Sequence, residues 1–380
     1  MPFLIAGLGT ALPEHSIDQA EAAAIVEPLN CESDEQRRLL PVLYRRSGVG
    51  RRHSVLLEAS DGTLEDRQSF FAPRGDGEDF GPTTGERMSR YVIEALPLAE
   101  RAAASAIERS GIAVSRVTHL VTVSCSGFGA PGWDIGLIDR LHLPRDVART
   151  HVGFMGCHGA LNGLRLANAF CEANPHAVVL VAALELCSLH QQYGWEPDRI
   201  VSNALFADGA AAVIGTATRA AGVGPPSSSK SSLAPHGEMP SWSVVASGSL
   251  VVPNTTDAMS WHIGDHGFEM TLSPKVPDLI QRTLRPWLES WLAANGTSLD
   301  RIGSWAVHPG GPRILSATAE ALSLSPEALA VSRDVLRDCG NMSSPTVLFL
   351  LERLQRQNAP RPCVALGFGP GLTIEAALFA

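Results

Sequence analysis

Charge is scarce in this chain. Only 18% of its 380 residues are Asp, Glu, Lys or Arg, and they sum to a formal net charge of −9. An acidic balance argues against nucleic acid as a partner, because a phosphate backbone selects a basic face. Paired cysteines are missing as well. The seven cysteines are odd in number and scattered, with Cys125, Cys171, Cys187 and Cys363 inside apolar runs. They form no CxxC pair and no metal-ligand spacing, so they support neither a disulfide framework nor a metal site. No apolar run is long. The longest, Ala177 to Leu186, includes Glu185 and is far too short to span a bilayer. The N-terminal MPFLIAGLGTALPEH reads as a strand and a loop, without a basic leader or a cleavage site. These absences lead to the expectation of a soluble, reduced, cytoplasmic protein with no membrane span.

Apolar residues are plentiful, at 45%. The length allows two or three domains, or two halves wrapped into one unit. Strand-like and helix-like stretches alternate: Val117 to Ser124 and Ala177 to Glu185 read as buried strands, and Glu86 to Ser110 as helix. That helix is interrupted at Pro97, which should kink or split it, and Gly111 supplies its stop. Such alternation implies a mixed α/β sheet covered on both faces. Ser60 to Gly85, dense in Asp, Gly and Pro, reads as a long surface excursion. Ala221 to Pro240 is the clearest break in composition and reads as a linker. The expected organisation is an N-terminal half over 1–220, a linker over 221–240 and a C-terminal half over 241–380. A weak internal duplication fits both halves.

Everything is organised around Ala148 to Ala173. Apolar residues (Val152, Phe154, Met155) lead into a Gly-Cys-His-Gly turn, and Ala160, Leu161, Leu164 and Ala167 then recur at helical spacing. This arrangement puts Cys157 at a helix N-terminus, where unpaired N–H groups and the helix dipole favour a thiolate. A buried structural cysteine is the competing reading. Further on, WAVHPGG places His308 at the end of an apolar strand. DCGNMSSPTV places Asn341 where it would cap an apolar helix. In GFGPGLTIE, Gly369 and Gly371 allow close backbone approach. A basic cluster of Arg45, Arg46, Arg51 and Arg52 is either solvated surface or a phosphate contact.

In this order, a Cys on an elbow, HPGGP, GNMSS and GFGPG resemble the type III polyketide synthases, the chalcone synthase-like members of the thiolase superfamily. The resemblance covers nearly the whole chain. It implies a thiolase-like α/β fold of two pseudo-duplicated halves in a layered αβαβα core. It also implies acyl-CoA starters, malonyl-CoA as extender, no permanently bound cofactor, no metal and a homodimer. Cys157 would carry the acyl group and His308 would hold it as thiolate. His308 and Asn341 would stabilise the enolate left by decarboxylation. The resemblance places Phe206, Met270, Cys125, Cys187 and His190 around the substrate, with Met270 where plant members carry a Phe gate. It also places Arg46, Gly310, Gly311 and Arg313 along the coenzyme A entrance, and Ala130 at the position whose side chain reaches the partner's pocket. The flexible Met270 and small Ala130 suggest a pliable cavity that prefers fatty acyl starters, giving alkyl pyrones, resorcinols or phloroglucinols. Two readings compete: a ketoacyl synthase III-like enzyme of single condensation, and a catalytically silent thiolase-fold partner subunit.

Overall fold

The computed structural model describes residues 1–63, 66–75, 79–217 and 242–380. The expected linker, 221–240, therefore lies outside the described residues. The first half runs through β1 (Phe3–Ala11), β2 (Ser16–Asp18), α1 (Gln19–Asn30), α2 (Asp34–Arg46), β3 (Arg51–His53), α3 (Thr84–Ser110), β4 (His119–Ser124), α4 (Trp133–Arg140), β5 (Ala148–Gly153), α5 (Gly159–Ala173), β6 (Val178–Leu186), α6 (Pro197–Leu205) and β7 (Asp208–Thr216). The second comprises β8 (Ser243–Val251), β9 (Met259–Gly264), β10 (Gly267–Leu272), α7 (Val276–Ala294), β11 (Ser304–Val307), α8 (Pro312–Leu322), α9 (Ala330–Cys339), α10 (Thr346–Arg356), β12 (Cys363–Gly369) and β13 (Thr373–Phe379).

Nine strands form one sheet in the order β11-β12-β13-β8-β1-β7-β6-β4-β5. The pairing reveals the duplication. In the first half β4 runs parallel to β6, which is followed by antiparallel β7 and β1. In the second half β11 runs parallel to β12, followed by antiparallel β13 and β8. The halves meet where β1 joins β8 through only two residue pairs, Phe3–Val244 and Leu4–Ser243. One face of each half-sheet packs on the same central core, which also contains α5 and α10. The opposite faces pack on α3 in the first half and on α7 and α8 in the second. The layers are thus helix, sheet, two central helices, sheet, helix.

Small residues let the central layer close. A Cβ at Gly159 would lie 2.9 Å from Val123, and one at Gly163 would lie 3.0 Å from Val181. α5 therefore approaches β4 and β6 more closely than a larger side chain would permit. Elsewhere the structure departs from expectation. α3 is a single helix through Pro97, neither split nor ended there, and begins with a capping box between Thr83 and Glu86. The proline frees the carbonyl of Ile93, a residue 65% exposed, so water serves it there. Gly111 ends α3 at φ 65°, as a left-handed cap does. The described part of Ser60 to Gly85 is more than a surface excursion. Arg67 donates two hydrogen bonds to Glu21 at 2.8 and 3.1 Å, and Phe71 is buried near the ring of Tyr193. Among the described residues no helix is long and apolar enough to cross a membrane.

Candidate active site

Chemistry-bearing residues collect where the parallel strands end. Cys125 follows β4, Cys157 follows β5, Cys187 follows β6 and His308 follows β11. Gly369 closes β12 and lies against the residues around the elbow. The duplication adds symmetry: Cys157 precedes central helix α5, and Asn341 precedes central helix α10.

Two left-handed residues make the elbow, Phe154 at φ 56° and Gly156 at φ 76°. A Cβ at Gly156 would overlap Pro370, so glycine is required both by its conformation and by the close packing of the GFGPG loop. A Cβ at Gly369 would strike the His158 ring. Gly371 sits at φ 68° with nothing within 4 Å of such a Cβ, and serves the turn. Cys157 occupies a single 3-10 turn, Gly156–His158, that leads into α5. Burial pushes its thiol up to about 11; the Ser343 hydroxyl pulls it down, the Glu185 carboxylate raises it, and the Asn341 amide lowers it. His308 is 1% exposed, and burial together with the nearby His158 holds it down at about 3. Burial thus works against both charges of the expected imidazolium–thiolate pair, because it withholds solvation from each.

His308 is anchored through its backbone, whose N–H donates to Leu366 O at 2.8 Å. Among the described residues neither ring nitrogen finds a hydrogen-bond partner, and a buried imidazole with both nitrogens unused is costly. Asn341 is not a helix cap, since α10 starts five residues later. Its backbone instead bridges to the Phe206 segment: its N–H donates to Leu205 O and its carbonyl accepts from Ala207 N–H, both at 2.9 Å. Gly340, at φ 74°, permits that approach; a Cβ there would lie 2.8 Å from Ala207 Cβ. The Ser343 N–H donates to Asn341 Oδ1 at 2.8 Å, leaving the amide NH₂ for the Cys157 side.

Sequence reasoning passed over Glu185. It is fully buried, and its carboxylate accepts from Cys125 N–H at 2.8 Å, Ser126 N–H at 2.9 Å and the Ser126 and Ser344 hydroxyls. Burial raises its pKa, while those hydrogen bonds oppose the rise. A lone acid in a β-branched strand was the available signal. Cys125 stands beside the elbow, its sulfur accepting from Gly156 N–H at 3.0 Å.

His190 proves to be a fixed, neutral strut. Burial lowers it to about 3. Its Nε2–H donates to Ser126 O at 2.7 Å, and its Nδ1 accepts from Phe268 N–H at 2.9 Å. Its ring stacks on Phe268 at 4.1 Å. Met270 stands directly opposite Trp261 in the β9–β10 ribbon and two residues from Phe268, so the three share one face; Trp261 and Phe268 line the cavity. The Trp261 indole N–H donates to Cys125 O at 2.8 Å, and the ring packs near Phe206. Behind Phe206, Trp261 and Phe268 lies a cavity of about 100 Å³, which Cys187 and His190 also line. Its far wall is aliphatic, with Ile17, Ile25, Val26 and Leu29 from the α1 region and Leu56 and Leu57 beyond β3.

The expected entrance residues fall near one another. Arg46 is exposed at the end of α2, and a Cβ on Gly48 just beyond it would lie 2.9 Å from Pro312, the neighbour of Arg313. Gly311, at φ 140°, sits beside Leu205, which precedes Phe206. The segments carrying Arg46, Gly311 and Arg313 thus pack near Leu205, which bonds to Asn341.

Comparison with known proteins agrees with this geometry. The family model of chalcone and stilbene synthases matches in two parts, the N-terminal domain over residues 2–218 and the C-terminal domain over 243–380. The chain is 32% identical to the 1,3,6,8-tetrahydroxynaphthalene synthase of Streptomyces peucetius subsp. caesius, covering 98% of this chain and 92% of that one. It is 30% identical to the α-pyrone synthesis polyketide synthase-like Pks18 of Mycobacterium tuberculosis, covering 99% and 90%. The crystal structure of PKS-I from the brown alga Ectocarpus siliculosus superposes with a TM-score of 0.87 at 30% identity, covering 100% of this chain and 98% of that one. The chain therefore belongs to the chalcone synthase-like type III polyketide synthases, acyltransferases that work by decarboxylative condensation.

Proposed function

We propose that this chain loads an acyl-CoA starter on Cys157, extends it iteratively with malonyl-CoA and cyclises the product, with Cys157, His308 and Asn341 as its catalytic groups. The observation that carries the assignment is His308: a buried imidazole whose two nitrogens find no partner among the described residues. The Cys157 sulfur attacks the starter thioester and expels the CoA thiolate, which takes up the proton the Cys157 thiol gives up, an exchange of thioester for thioester. Malonyl-CoA then loses carbon dioxide, and the bonding electrons pass to the thioester as an enolate. The enolate oxygen takes hydrogen bonds from the His308 N–H and the Asn341 NH₂. A neutral imidazole suits this role, because it donates without surrendering its proton. The enolate carbon attacks the acyl carbonyl on Cys157, and the sulfur leaves. Arg46 and Arg313 meet the coenzyme A phosphates, and Gly310 and Gly311 allow the pantetheine arm to pass.

The cavity supports a starter with an alkyl chain. Its volume is somewhat below that of a roughly 150 Å³ cavity able to hold benzene, and its far wall is aliphatic. That favours a medium chain, each buried CH₂ contributing about 0.8 kcal/mol. A homodimer completes the reading. β5 is an edge strand, paired only with β4, and the exposed rings of Phe128 and Phe154 flank it. The second copy would cover both.

The test incubates the protein with malonyl-CoA and acetyl-, hexanoyl-, dodecanoyl- or coumaroyl-CoA, identifying products by mass. Polyketide products are expected, with kcat/KM rising from acetyl- to hexanoyl-CoA and lowest for coumaroyl-CoA. A product of one condensation only would favour the ketoacyl synthase III-like reading. Preference for coumaroyl-CoA would overturn the alkyl assignment.

A further inference from the structure

α6 ends directly at the Phe206 gate, and its last carbonyls cannot be satisfied within the helix. Each has a partner. Ser202 O accepts from Phe206 N–H at 3.0 Å, and Leu205 O accepts from Asn341 N–H at 2.9 Å. Ala204 O accepts from the Gln19 side chain at 2.7 Å. The remaining two belong to one residue: Arg52 Nη1 donates to Asn203 O and, at 3.0 Å, to Phe206 O. The Arg52 side chain comes from β3, is 9% exposed, lies over the Tyr44 ring at 5.4 Å and lines the alkyl cavity. Among the described residues it makes no ion pair with a carboxylate. A buried guanidinium without an ion-pair partner is destabilising, so its position at the C-terminal end of α6 needs another reason. A cation at a helix C-terminus is favourable, and this one holds the carbonyls on either side of residues 204–205, where the segment that bridges to Asn341 begins.

We propose that Arg52 is a positioning residue. By gripping the carbonyls on both sides of residues 204–205, it keeps the Leu205–Ala207 strand in register with Asn341. It thereby sets where the Asn341 amide meets the enolate oxygen. The idea rests on the role of Asn341 proposed above. A solvated basic surface or a phosphate contact does not describe Arg52, which is buried and faces inward.

The experiment measures malonyl-CoA decarboxylation in Arg52→Met, Arg52→Lys, Asn341→Ala and the double variant Arg52→Met/Asn341→Ala. Arg52→Met should lower kcat at least tenfold with KM within twofold. Arg52→Lys, which still reaches one carbonyl, should recover most of that loss. In the Asn341→Ala background the Arg52 change should cost less than twofold, because the group it positions is gone. The far-UV circular dichroism spectrum should match the wild type in every variant, showing an intact fold. Wild-type decarboxylation in Arg52→Met, or losses that multiply in the double variant, would overturn the proposal. If Arg52→Met fails to fold, Arg52→Lys alone and combined with Asn341→Ala decides by the same comparison. Absence of decarboxylation in the wild type would instead sink the functional reading itself.

Discussion

At the scale of single residues, burial decides protonation. Cys157 is pushed up to about 11 and His308 down to about 3. Thiolate at neutral pH is therefore scarce, and its fraction rises about tenfold per pH unit toward pH 10. The rate of Cys157 alkylation by iodoacetamide should climb through this range without a plateau. No inflection near pH 6.5 should appear from His308, which remains neutral there. A plateau reached below pH 8 would show that an ion pair exists at rest after all. Asn341 makes a second prediction at this scale. Asn341→Ala should lose malonyl-CoA decarboxylation by roughly 2.7–4 kcal/mol, as for a lost oxyanion donor. Cys157→Ala should keep decarboxylation and lose condensation, since its two donors remain. Equal loss of both steps in Cys157→Ala would show that the sulfur itself shapes the enolate site.

At the scale of elements, the elbow depends on one glycine. Gly156→Ala would force a Cβ into Pro370 at a left-handed φ of 76°. The conformation alone costs roughly 1–2 kcal/mol, and the overlap adds to it. The variant should melt at a lower temperature by calorimetry and lose condensation activity, because the elbow or the GFGPG loop must shift. Wild-type melting and turnover together would mean that the loop has slack the packing does not suggest. Motifs and elements correspond here: HPGGP and GNMSS each follow or precede an element of the C-terminal half. GFGPG is the packing partner of the elbow, and its glycines admit His158 and turn the chain.

At the scale of the whole molecule, one edge of the sheet is β5, which among the described residues pairs on one side only. Phe128, 53% exposed, lies beside Phe154. Sedimentation should give twice the 40.3 kDa chain mass for the wild type. Phe128→Asp should shift the equilibrium toward monomer by placing a charge in the buried interface. A wild type that sediments as a monomer at micromolar concentration would remove the dimer from the reading. The Phe128 ring also lies 6.4 Å from Phe268 on the cavity wall. The monomeric variant should therefore lose starter selectivity along with its partner.

Much of this was legible in the sequence because it is local. The elbow at Cys157, the stop at Gly111 and the buried strands follow from side-chain period and from backbone angles that glycine alone adopts cheaply. The family resemblance came from short motifs whose spacing survives without any knowledge of the fold. What is set at long range was hidden. The register of Asn341 against Phe206 joins residues 135 apart in the chain, and no local pattern encodes it. Trp261 joined Phe268 on the cavity wall unforeseen, because the β9–β10 register that sets it opposite Met270 is fixed by strand pairing and not by any local pattern. The protonation of Cys157 and His308 went the other way from a helix-terminus argument. A dipole is a local property readable from sequence, whereas desolvation is summed over every element that closes around the site.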